Sequence, residues 1–530
     1  MNFKWKSVLC AFVLGSGMAF TSCSDDTIDP NPNPGPVLEG EKGFISMSMG
    51  ATGKVLTKAA ITTFGEPEEA TIADAYLVFY DALSMQCNYQ IKLSINSDGT
   101  NPIAGADVAT APNTANSQVI FTSVAQELVK KNYKLLVVLN PTADMITASA
   151  VNKYYSDFEV AKAGAVADFG TPSGDLYTNI VMTNASGLID VTESQFKKTK
   201  PLAEGAADVP VVRVDRILAK VIVAEKAGGA AVTGGTLEGM TWQLDNMNKL
   251  TYWVRRMTNT APGVGDGITA GVATGGPGAH ENTFSVLLRE YVYAEDPNWN
   301  GLSPDRIQDV TGSRPGTADA DLAANFLFLP SNSTSAGFSH SLNTTPTHEY
   351  VLENTMAAEE QWEDVTTRIL IRGSFVPTGM ALGDSYYFFR GFAFTHAQIA
   401  GMVTNPTINP WPTNPTGLED AVIASGFNFA QPEPTASVAD PNGELNFFYQ
   451  GVSYYSVLIR HFDDDYSDGI MNYGRYGVVR NNMYKVTLTS VKGPGKPTIP
   501  DPEGPDDKEE YISAMVEVLP WVVRTQNADI

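Results

Sequence analysis

The residue types that most often carry out catalysis or bind metals are scattered along this chain. Its histidines are His280, His340, His348, His396 and His461, and they form no HExxH pair or other ligand spacing. No GxSxG nucleophile motif occurs beyond the N-terminal segment, and no Walker phosphate-binding loop occurs anywhere. The sequence therefore predicts a protein that is not an enzyme and that uses no cofactor and no metal.

Two segments match ligand-binding motifs in part. Gly265, Gly267 and Ala270 have the spacing of a dinucleotide fingerprint, but no strand pattern precedes them and no helix pattern follows. The acidic stretch 463–469 (DDDYSDG) resembles an EF-hand calcium loop, but its glycine comes one position late and no glutamate stands at the twelfth position. We interpret the first segment as a loop and the second as a solvated acidic turn.

The composition is that of a turn-rich protein with sizeable cores. The 530 residues suffice for two domains with appended segments, 43% of them are hydrophobic, and 46 Gly and 32 Pro indicate many turns. The formal net charge of −24 argues against nucleic acid as a partner. A mean hydropathy of −0.11 excludes a protein with many membrane spans.

The N-terminal segment has the features of an export signal. Lys4 and Lys6 precede an apolar stretch at residues 8–20, which is too short to span a bilayer with its own anchors. The stretch ends in FTSC, which resembles a bacterial lipobox with Cys23 as the lipidated residue. We therefore predict a signal peptide at residues 1–22 and a disordered Pro/Asn-rich tether at 23–42. Cys10 leaves with the signal, so Cys87 has no disulfide partner and is expected to be a buried apolar filler.

The rest of the chain reads as strands separated by Gly, Pro and Asn turns. Ile45, Met47 and Met49 alternate with serines, which predicts a first strand with one apolar face. Further strands are predicted around residues 75–80, 118–121 and 133–140, with one short amphipathic helix at 124–129. Residues 211–223 are expected to form a strand pair or one bent strand. The fold class is all-β, in two β-sandwiches at residues 59–208 and 209–491.

The end of the chain is a strand without an obvious place in its own domain. Residues 492–510 form a Pro/Gly/acidic linker that cannot continue a sheet. In the following segment, 511–530, the residues Ile512, Ala514, Val516 and Val518 lie on one face of a predicted strand. Such a strand needs a groove, either in its own chain or in a neighbour.

Several motifs, taken in order, resemble those of one protein family. Residues 478–486 (VVRNNMYKV) are similar to the V-R-N-N-x-Y motif of the FimA/Mfa-type fimbrillins, the major shaft subunits of type V pili. Residues 516–521 (VEVLPW) are similar to their closing V-x-V-L-P-W. Residues 211–220, 326–330 and 350–354 and the lipoprotein start follow in matching order. The resemblance spans the whole chain, and the shaft-forming Mfa-type subunit is the nearest pattern.

The resemblance implies a fold and a mode of assembly. It implies two transthyretin-like β-sandwiches in a lipidated outer-membrane precursor, from which a protease removes the first strand, so that a groove opens in the N-terminal domain. The C-terminal strand of another copy then fills the groove by β-augmentation and builds a surface fimbria that mediates adhesion and biofilm formation. The implied donor residues are Ile512, Ala514, Val516, Val518 and Trp521, and the implied displaced residues are Ile45, Met47 and Met49.

The implied partners are copies of the chain itself, anchor and tip subunits, a trypsin-like protease, and a host or bacterial surface ligand that the sequence does not identify. The known relatives are cut after arginine, yet no arginine precedes Arg213 here. Within the predicted processing segment, residues 43–58, the basic candidates are Lys54 and Lys58, of which we favour Lys58. The other interpretation is that this subunit is not processed in that way.

Two other functions remain open from the sequence. A tip or accessory adhesin of the same system would lack the final strand or keep it in its own domain. A glycan-binding surface lipoprotein would bind glycans as a monomer.

Overall fold

The chain folds mainly into β-strands with short helices between them. The computed structural model describes residues 38–51, 66–93, 119–123, 125–185, 187–258, 293–294, 296–299, 324–329, 335–355, 366–440, 444–459, 461, 477–500 and 512–520. The expected mostly-β fold is confirmed over these ranges. None of their helices is long and apolar enough to cross a bilayer.

The strands are short, and most are joined by turns. The first group is β1 Lys42–Ile45, β2 Ser48–Ala51, β3 Ala75–Asp81, β4 Cys87–Leu93, β5 Val119–Thr122, β6 Gln126–Val129, β7 Tyr133–Leu139, β8 Ala161–Ala163, β9 Thr171–Ser173, β10 Leu176–Thr178, β11 Met182–Asn184, β12 Ile189–Val191 and β13 Val211–Arg216. The second group is β14 Leu218–Glu225, β15 Ala231–Val232, β16 Gly235–Asp245, β17 Met247–Asn248, β18 Leu250–Tyr252, β19 Met257–Thr258, β20 Tyr293–Ala294, β21 Phe326–Leu327, β22 His340–Ser341, β23 Thr347–Leu352, β24 Arg368–Pro377, β25 Tyr386–Phe389, β26 Phe392–Phe394, β27 Asn446–Phe448, β28 Val452–Leu458, β29 Asn482–Val491 and β30 Ile512–Pro520. The α-helices are Ala143–Ala148, Tyr155–Phe158, Lys200–Glu204, His396–Thr404 and Leu418–Ala424.

One large sheet organises the N-terminal part. Its strand order is β4, β3, β7, β11, β13, β2 and β5, with β12 also paired to β7. β2 runs parallel to β13 and antiparallel to β5. Leu77 and Phe79 on β3 enter one hydrophobic core, whereas Val78 and Tyr80 enter another. Both faces of this strand are therefore buried, which explains its continuous apolar sequence.

The short helix expected at residues 124–129 is wrong. Residues Gln126–Val129 form β6, which pairs antiparallel with β1 from Lys42↔Val129 to Ile45↔Gln126. Four residues are too few for a stable isolated helix, and pairing with a distant strand decides their conformation.

Two further sheets share the core of the C-terminal part. One has the order β15, β29, β14 and β23, with β30 paired to β29, and the other has the order β22, β16, β24 and β28. Val221 and Tyr484 from the first sheet pack with Trp242, Ile371 and Tyr455 from the second. The transthyretin-like topology of the two sandwiches, and their boundary at residues 208 and 209, stay predictions.

Residues 211–223 form two strands in different sheets. β13 belongs to the large sheet and β14 to a C-terminal sheet, and Ile217 separates them. A third core surrounds this junction and includes Leu136, Ile217, Tyr350 and Met483. Residues 211–223 are therefore two successive strands that are not paired with each other, and neither a hydrogen-bonded strand pair nor one continuous bent strand is present.

A small module lies between β24 and β28. It contains β25, β26 and β27 and the two helices His396–Thr404 and Leu418–Ala424. Its own core includes Tyr387, Phe389, Ile399, Leu418 and Phe447. The sequence pattern predicted this region as part of the C-terminal sandwich and did not indicate a separate core.

Candidate functional site

The first-strand segment, which we define as residues 42–51, is bound on both sides by the rest of the chain. Phe44 exchanges two backbone hydrogen bonds of 2.8 Å with Lys197, on the side of β1 opposite β6. Further along, the Ser123 amide donates to the Met47 carbonyl at 2.8 Å. β2 then lies between β13 and β5 in the large sheet. The segment therefore passes from a two-stranded sheet into the main one.

The three apolar residues predicted to be displaced are brought together in one core. Ile45, Met47 and Met49 are at most 1% exposed, and all three belong to the N-terminal core. Full burial of side chains of this size stabilises by about 1.5–3 kcal/mol each. Loss of the segment would leave an apolar groove between β13 and β5.

The segment is buried on both faces, whereas the alternation of apolar residues and serines predicted burial of one face only. Ser46 is also 1% exposed, and its hydroxyl donates to the Ser123 carbonyl at 2.5 Å. The chain changes sheets at Ser46 and Met47, so both of its faces are covered there. The hydroxyl of Ser123 in turn accepts from the Met47 amide at 3.1 Å.

The predicted C-terminal strand lies on its own chain in this structure. β30 pairs antiparallel with β29 from Asn482↔Pro520 to Val491↔Ile512, with Val516 opposite Val486. Ile512 is 2% exposed within the C-terminal core, and Ala514 packs against the same core. β30 thereby covers the edge of β29 that β14 does not occupy. Trp521 lies outside the described residues.

The V-R-N-N-x-Y motif forms a turn that leads into β29. Asn481 has a left-handed backbone conformation with φ of 62°, which is uncommon for a residue other than glycine. Its side-chain amide donates to Asp215 Oδ1 at 3.1 Å, and its Oδ1 accepts from Arg216 Nη1 at 3.3 Å. The Arg480 guanidinium donates to Glu353 Oε2 at 2.8 Å. The Tyr484 hydroxyl accepts from the Val479 amide at 2.7 Å.

Three of the motifs quoted from the sequence therefore meet in space. Asp215, Arg216 and Lys220 come from residues 211–220, Tyr350 and Glu353 from residues 350–354, and Arg480 and Asn481 from residues 478–486. Arg255 completes the ion pairs, at 3.0 Å from Asp215 and 3.2 Å from Glu353.

A second ion pair connects this region to the chain that follows the first strand. Glu69 lies on the one-turn 3₁₀ helix Pro67–Ala70 and is fully buried. The Lys220 ammonium donates to Glu69 Oε1 at 2.5 Å, and the Tyr350 hydroxyl donates to the same oxygen. Arg216 Nε donates to the Glu69 backbone carbonyl at 3.4 Å.

The charges of these groups are stabilised by each other. Burial alone would raise the pKa of Glu69, but Lys220 and the hydrogen bonds from Lys220 and Tyr350 hold it below its usual value. Burial likewise opposes ionisation of Glu353, and Arg255 and Arg480 outweigh it, so its pKa is also lowered. Asp215 differs from these two carboxylates, because burial outweighs the attraction of Arg255 and Arg480 and raises its pKa.

Sequence reasoning missed the charged members of this network. Lys220 stands in the apolar run ILAKVIV, and Asp215 and Arg216 close the run VVRVDR. Charged residues inside strands with two buried faces must find partners, because an unpaired buried charge is strongly destabilising. The charged residues within these apolar runs therefore indicated buried ion pairs, but the sequence does not show which residues pair.

Several predicted positions fall outside the described residues. They are Cys23, Lys54, Lys58, Trp521, the glycine-rich segment at 265–270 and the acidic turn at 463–469. Cys87 is described, and it is fully buried as expected, which raises the pKa of its thiol to about 12.

The described residues also contain an open cleft of about 760 Å³ beside β23. Some of its polar groups are bonded within the chain: His348 Nε2 lies 2.7 Å from the Asp175 carbonyl, and Glu349 accepts from Gln243 at 2.7 Å. In the same ranges no three His, Cys, Asp or Glu side chains are placed to hold a metal ion.

The chain is similar, at low sequence identity, to two solved structures of bacterial proteins. A chain from Parabacteroides distasonis, described as a candidate cell adhesion protein, is 11% identical over 92% of this chain and 99% of that one, with a TM-score of 0.43. The tip fimbrial protein Mfa3 from Porphyromonas gingivalis is 10% identical over 91% of this chain and 100% of that one, with a TM-score of 0.35.

The match to a family model lies in the C-terminal part of the chain. Residues 446–527 match the family "Major fimbrial subunit protein type IV, Fimbrillin, C-terminal". The chain is 38% identical to the major fimbrium subunit FimA type-5 of Porphyromonas gingivalis over 101 residues, which are 19% of this chain and 24% of that protein. It is also 38% identical to FimA type-4 over 79 residues, 15% of this chain and 19% of that protein. The matches thus span about a quarter or less of these relatives, and residues 446–527 of the chain are similar to the C-terminal region of the fimbrillins.

Proposed function

We propose that the chain is a structural subunit of a cell-surface fimbria that polymerises by donor-strand exchange. The precursor is exported as a lipoprotein, and a trypsin-like protease cuts between the first strand and the rest of the N-terminal domain. The C-terminal strand of a second copy then occupies the place of residues 42–51. In this role the chain is not an enzyme, and its partners are copies of itself with anchor and tip subunits.

The observation that carries the proposal is the pair of strands at the two ends of the described chain. The first-strand segment fills a groove with Ile45, Met47 and Met49. The last strand, β30, presents apolar residues at alternate positions and follows a linker rich in Pro and acidic residues. A strand with this pattern fits a groove vacated by another, because ladder hydrogen bonds give affinity and alternate side chains fill the pockets.

In this proposal the position of β30 on β29 is its resting state before assembly. The strand covers an edge of β29 that would otherwise expose unpaired backbone groups and invite wrong pairing. Release from β29 must precede donation, so a subunit whose β30 cannot leave should not join another.

A reversible cross-link between β29 and β30 tests the proposal. Val486 and Val516 are direct partners, so cysteines at these positions (V486C and V516C) lie within disulfide reach. We expect the oxidised, protease-treated variant to stay monomeric and the reduced one to polymerise like the unmodified chain. A matched control places cysteines at Tyr76 and Lys92, which are partners on β3 and β4. Oxidised polymers of normal length in the β29–β30 variant would rule the proposal out.

The processing step has its own test. Lys54 and Lys58 stand between β2 and the 3₁₀ helix Pro67–Ala70. Limited trypsin treatment of the purified precursor is expected to release a fragment that ends at one of these lysines before other cuts occur. First cuts that all fall beyond residue 100, as measured by mass spectrometry, contradict this step.

A second candidate is a tip or accessory subunit of the same fimbria. The observation in its favour is that β30 is held within its own domain, on β29. Such a subunit would end a growing fimbria and would not polymerise alone after processing. Electron microscopy of the purified, processed chain separates the two candidates.

A further inference from the structure

The corner between β13 and β14, residues 214–220, contacts three segments that the proposed function sets in motion. Ala51, the last residue of β2, pairs with Val214. Glu69, which follows the predicted cleavage segment, is bound by Lys220. Asn481, the residue before β29, is bound by Asp215 and Arg216. The first strand, the chain beyond the cut and the strand that carries β30 all meet here.

We propose that this corner couples the loss of the first-strand segment to the release of β30, and that Asn481 is the positioning residue of the coupling. This inference rests on the proposed function, because it requires the first-strand segment to leave and β30 to change partner. What it adds is a physical connection from one event to the other through named contacts.

The first step of the coupling is the loss of a neighbour by β13. β2 pairs with β13 over Val211↔Ser48 to Val214↔Ala51, while β11 occupies the other side. When β2 leaves, β13 becomes an edge strand, and edge strands open more easily than central ones. Asp215 and Arg216 are the last residues of β13 and share its added mobility.

The second step is the loss of support for the turn at Asn481. A left-handed conformation is unfavourable for an asparagine unless its side chain is bonded locally. Here Asp215 accepts from the side-chain amide, while the Arg216 guanidinium and backbone amide donate to Oδ1 at 3.3 and 3.4 Å. These contacts join residues at least 265 positions apart in the sequence. A shift of β13 therefore changes the contacts that hold the start of β29.

The third step acts on β30 directly. Asn482, the residue after Asn481, pairs with Pro520 at the end of β30. A change in the turn therefore reaches the Pro520 end of the strand first and loosens its pairing from that end. By contrast, Ile512 at the other end stays in the core until the strand peels away.

Glu69 holds the chain that follows the cleavage segment in place during the coupling. It is bound to Lys220, Tyr350 and Arg216, none of which belongs to the first-strand segment. A cut before residue 66 leaves these contacts in place, so only the upstream strand is freed.

The variant Asn481→Gly tests the coupling in the full-length precursor. Glycine keeps the left-handed turn but removes the bonds to Asp215 and Arg216. Hydrogen exchange followed by mass spectrometry is expected to show about tenfold faster exchange of residues 512–520 in this variant without any processing. The unmodified chain should show a similar increase once processed, at a concentration that keeps it monomeric.

The matched control is Asn152→Gly. Asn152 also has a left-handed backbone, with φ of 73°. It is exposed, in a turn that is far from Asn481 in the sequence. This variant is expected to leave exchange of β30 unchanged. Peptides from β3 and β7 serve as internal controls, since faster exchange there would mean global unfolding instead of local release.

Two results would overturn the inference. One is normal exchange of residues 512–520 in the N481G precursor, and the other is unchanged exchange of β30 after processing of the unmodified chain. If the processed chain nevertheless polymerises, the proposed function stands and only the coupling fails. If it forms no polymer at all, the proposed function fails, whatever the exchange shows.

Discussion

At the residue scale, the buried charges are the feature of this fold with the largest consequences. Arg480 is 3% exposed and bonds to Glu353, to the Thr251 hydroxyl and to the Tyr252 carbonyl. A guanidinium in such a site stabilises the fold only while all its donors are used. The motif residues therefore act as structural groups that fix one turn against several strands.

The first prediction concerns Arg480. Replacing it with alanine leaves Glu353 buried with fewer donors, and we expect a loss of about 3–5 kcal/mol in the free energy of unfolding. Urea denaturation measures this loss. The control is Arg390→Ala, which removes an exposed ion pair with Glu444 and should cost less than about 1 kcal/mol. Equal losses in the two variants would contradict a structural role for the network.

A second residue-scale feature is the carboxylate of Asp296. It is 8% exposed and accepts hydrogen bonds of 2.8–2.9 Å from Asn248, Asn298 and the Thr355 amide. Burial outweighs these hydrogen bonds and raises the pKa of Asp296 to about 6.

The pH dependence of stability follows from this raised pKa. An aspartate in an unfolded chain titrates near pH 4, at about 3.9. Between about pH 4 and 6 the folded protein therefore keeps a proton that the unfolded chain has lost, so the contribution of Asp296 to stability falls as pH rises through that window. The melting temperature of the unmodified chain minus that of Asp296→Asn should be lower at pH 7 than at pH 4. A melting-temperature difference that grows with pH would contradict the raised pKa of Asp296.

At the scale of elements, the two terminal strands differ in how they are held. The first-strand segment has neighbours on both sides and its apolar residues lie within a core. β30 pairs along one side with β29, and its Ile512 end enters the C-terminal core. A strand paired on one side detaches more easily than one enclosed by two neighbours, which suits β30 for exchange.

Deletion of the tail tests both roles of β30 at once. Removing residues 511–530 exposes the edge of β29 and takes away the buried Ile512, so we expect a lower melting temperature of the monomer as well as loss of polymers. Calorimetry and electron microscopy provide the two measurements. Removing only residues 521–530 keeps β30, and serves as the control for monomer stability. An unchanged melting temperature in the longer deletion would show that β30 is not held on β29 in solution.

At the scale of the whole molecule, the proposed assembly requires the chain to reach the cell surface first. The predicted lipid acceptor, Cys23, lies at the end of the apolar leader. Changing Cys23 to alanine is expected to abolish incorporation of labelled palmitate and to prevent surface fimbriae, while the domains still fold. Normal acyl labelling of this variant would refute the lipoprotein prediction.

The sequence alone determined the local elements with strong patterns. Alternation predicted the apolar residues of the first strand, and the tail read as a strand after a linker, because side chains in a strand alternate whatever its partner. The apolar runs at β3 and β7 likewise indicated strands. The ordered motifs indicated the family that the C-terminal match supports.

Only the tertiary structure decided which strands pair and which charges meet. Residues Gln126–Val129 look helical in isolation and become β6 because β1, more than eighty residues earlier, offers a partner. Lys220 meets Glu69 across 151 positions, and Asn481 meets Asp215 across 266. Such contacts depend on chain closure over long loops and on the arrangement of whole sheets, so no local pattern of residue types encodes them.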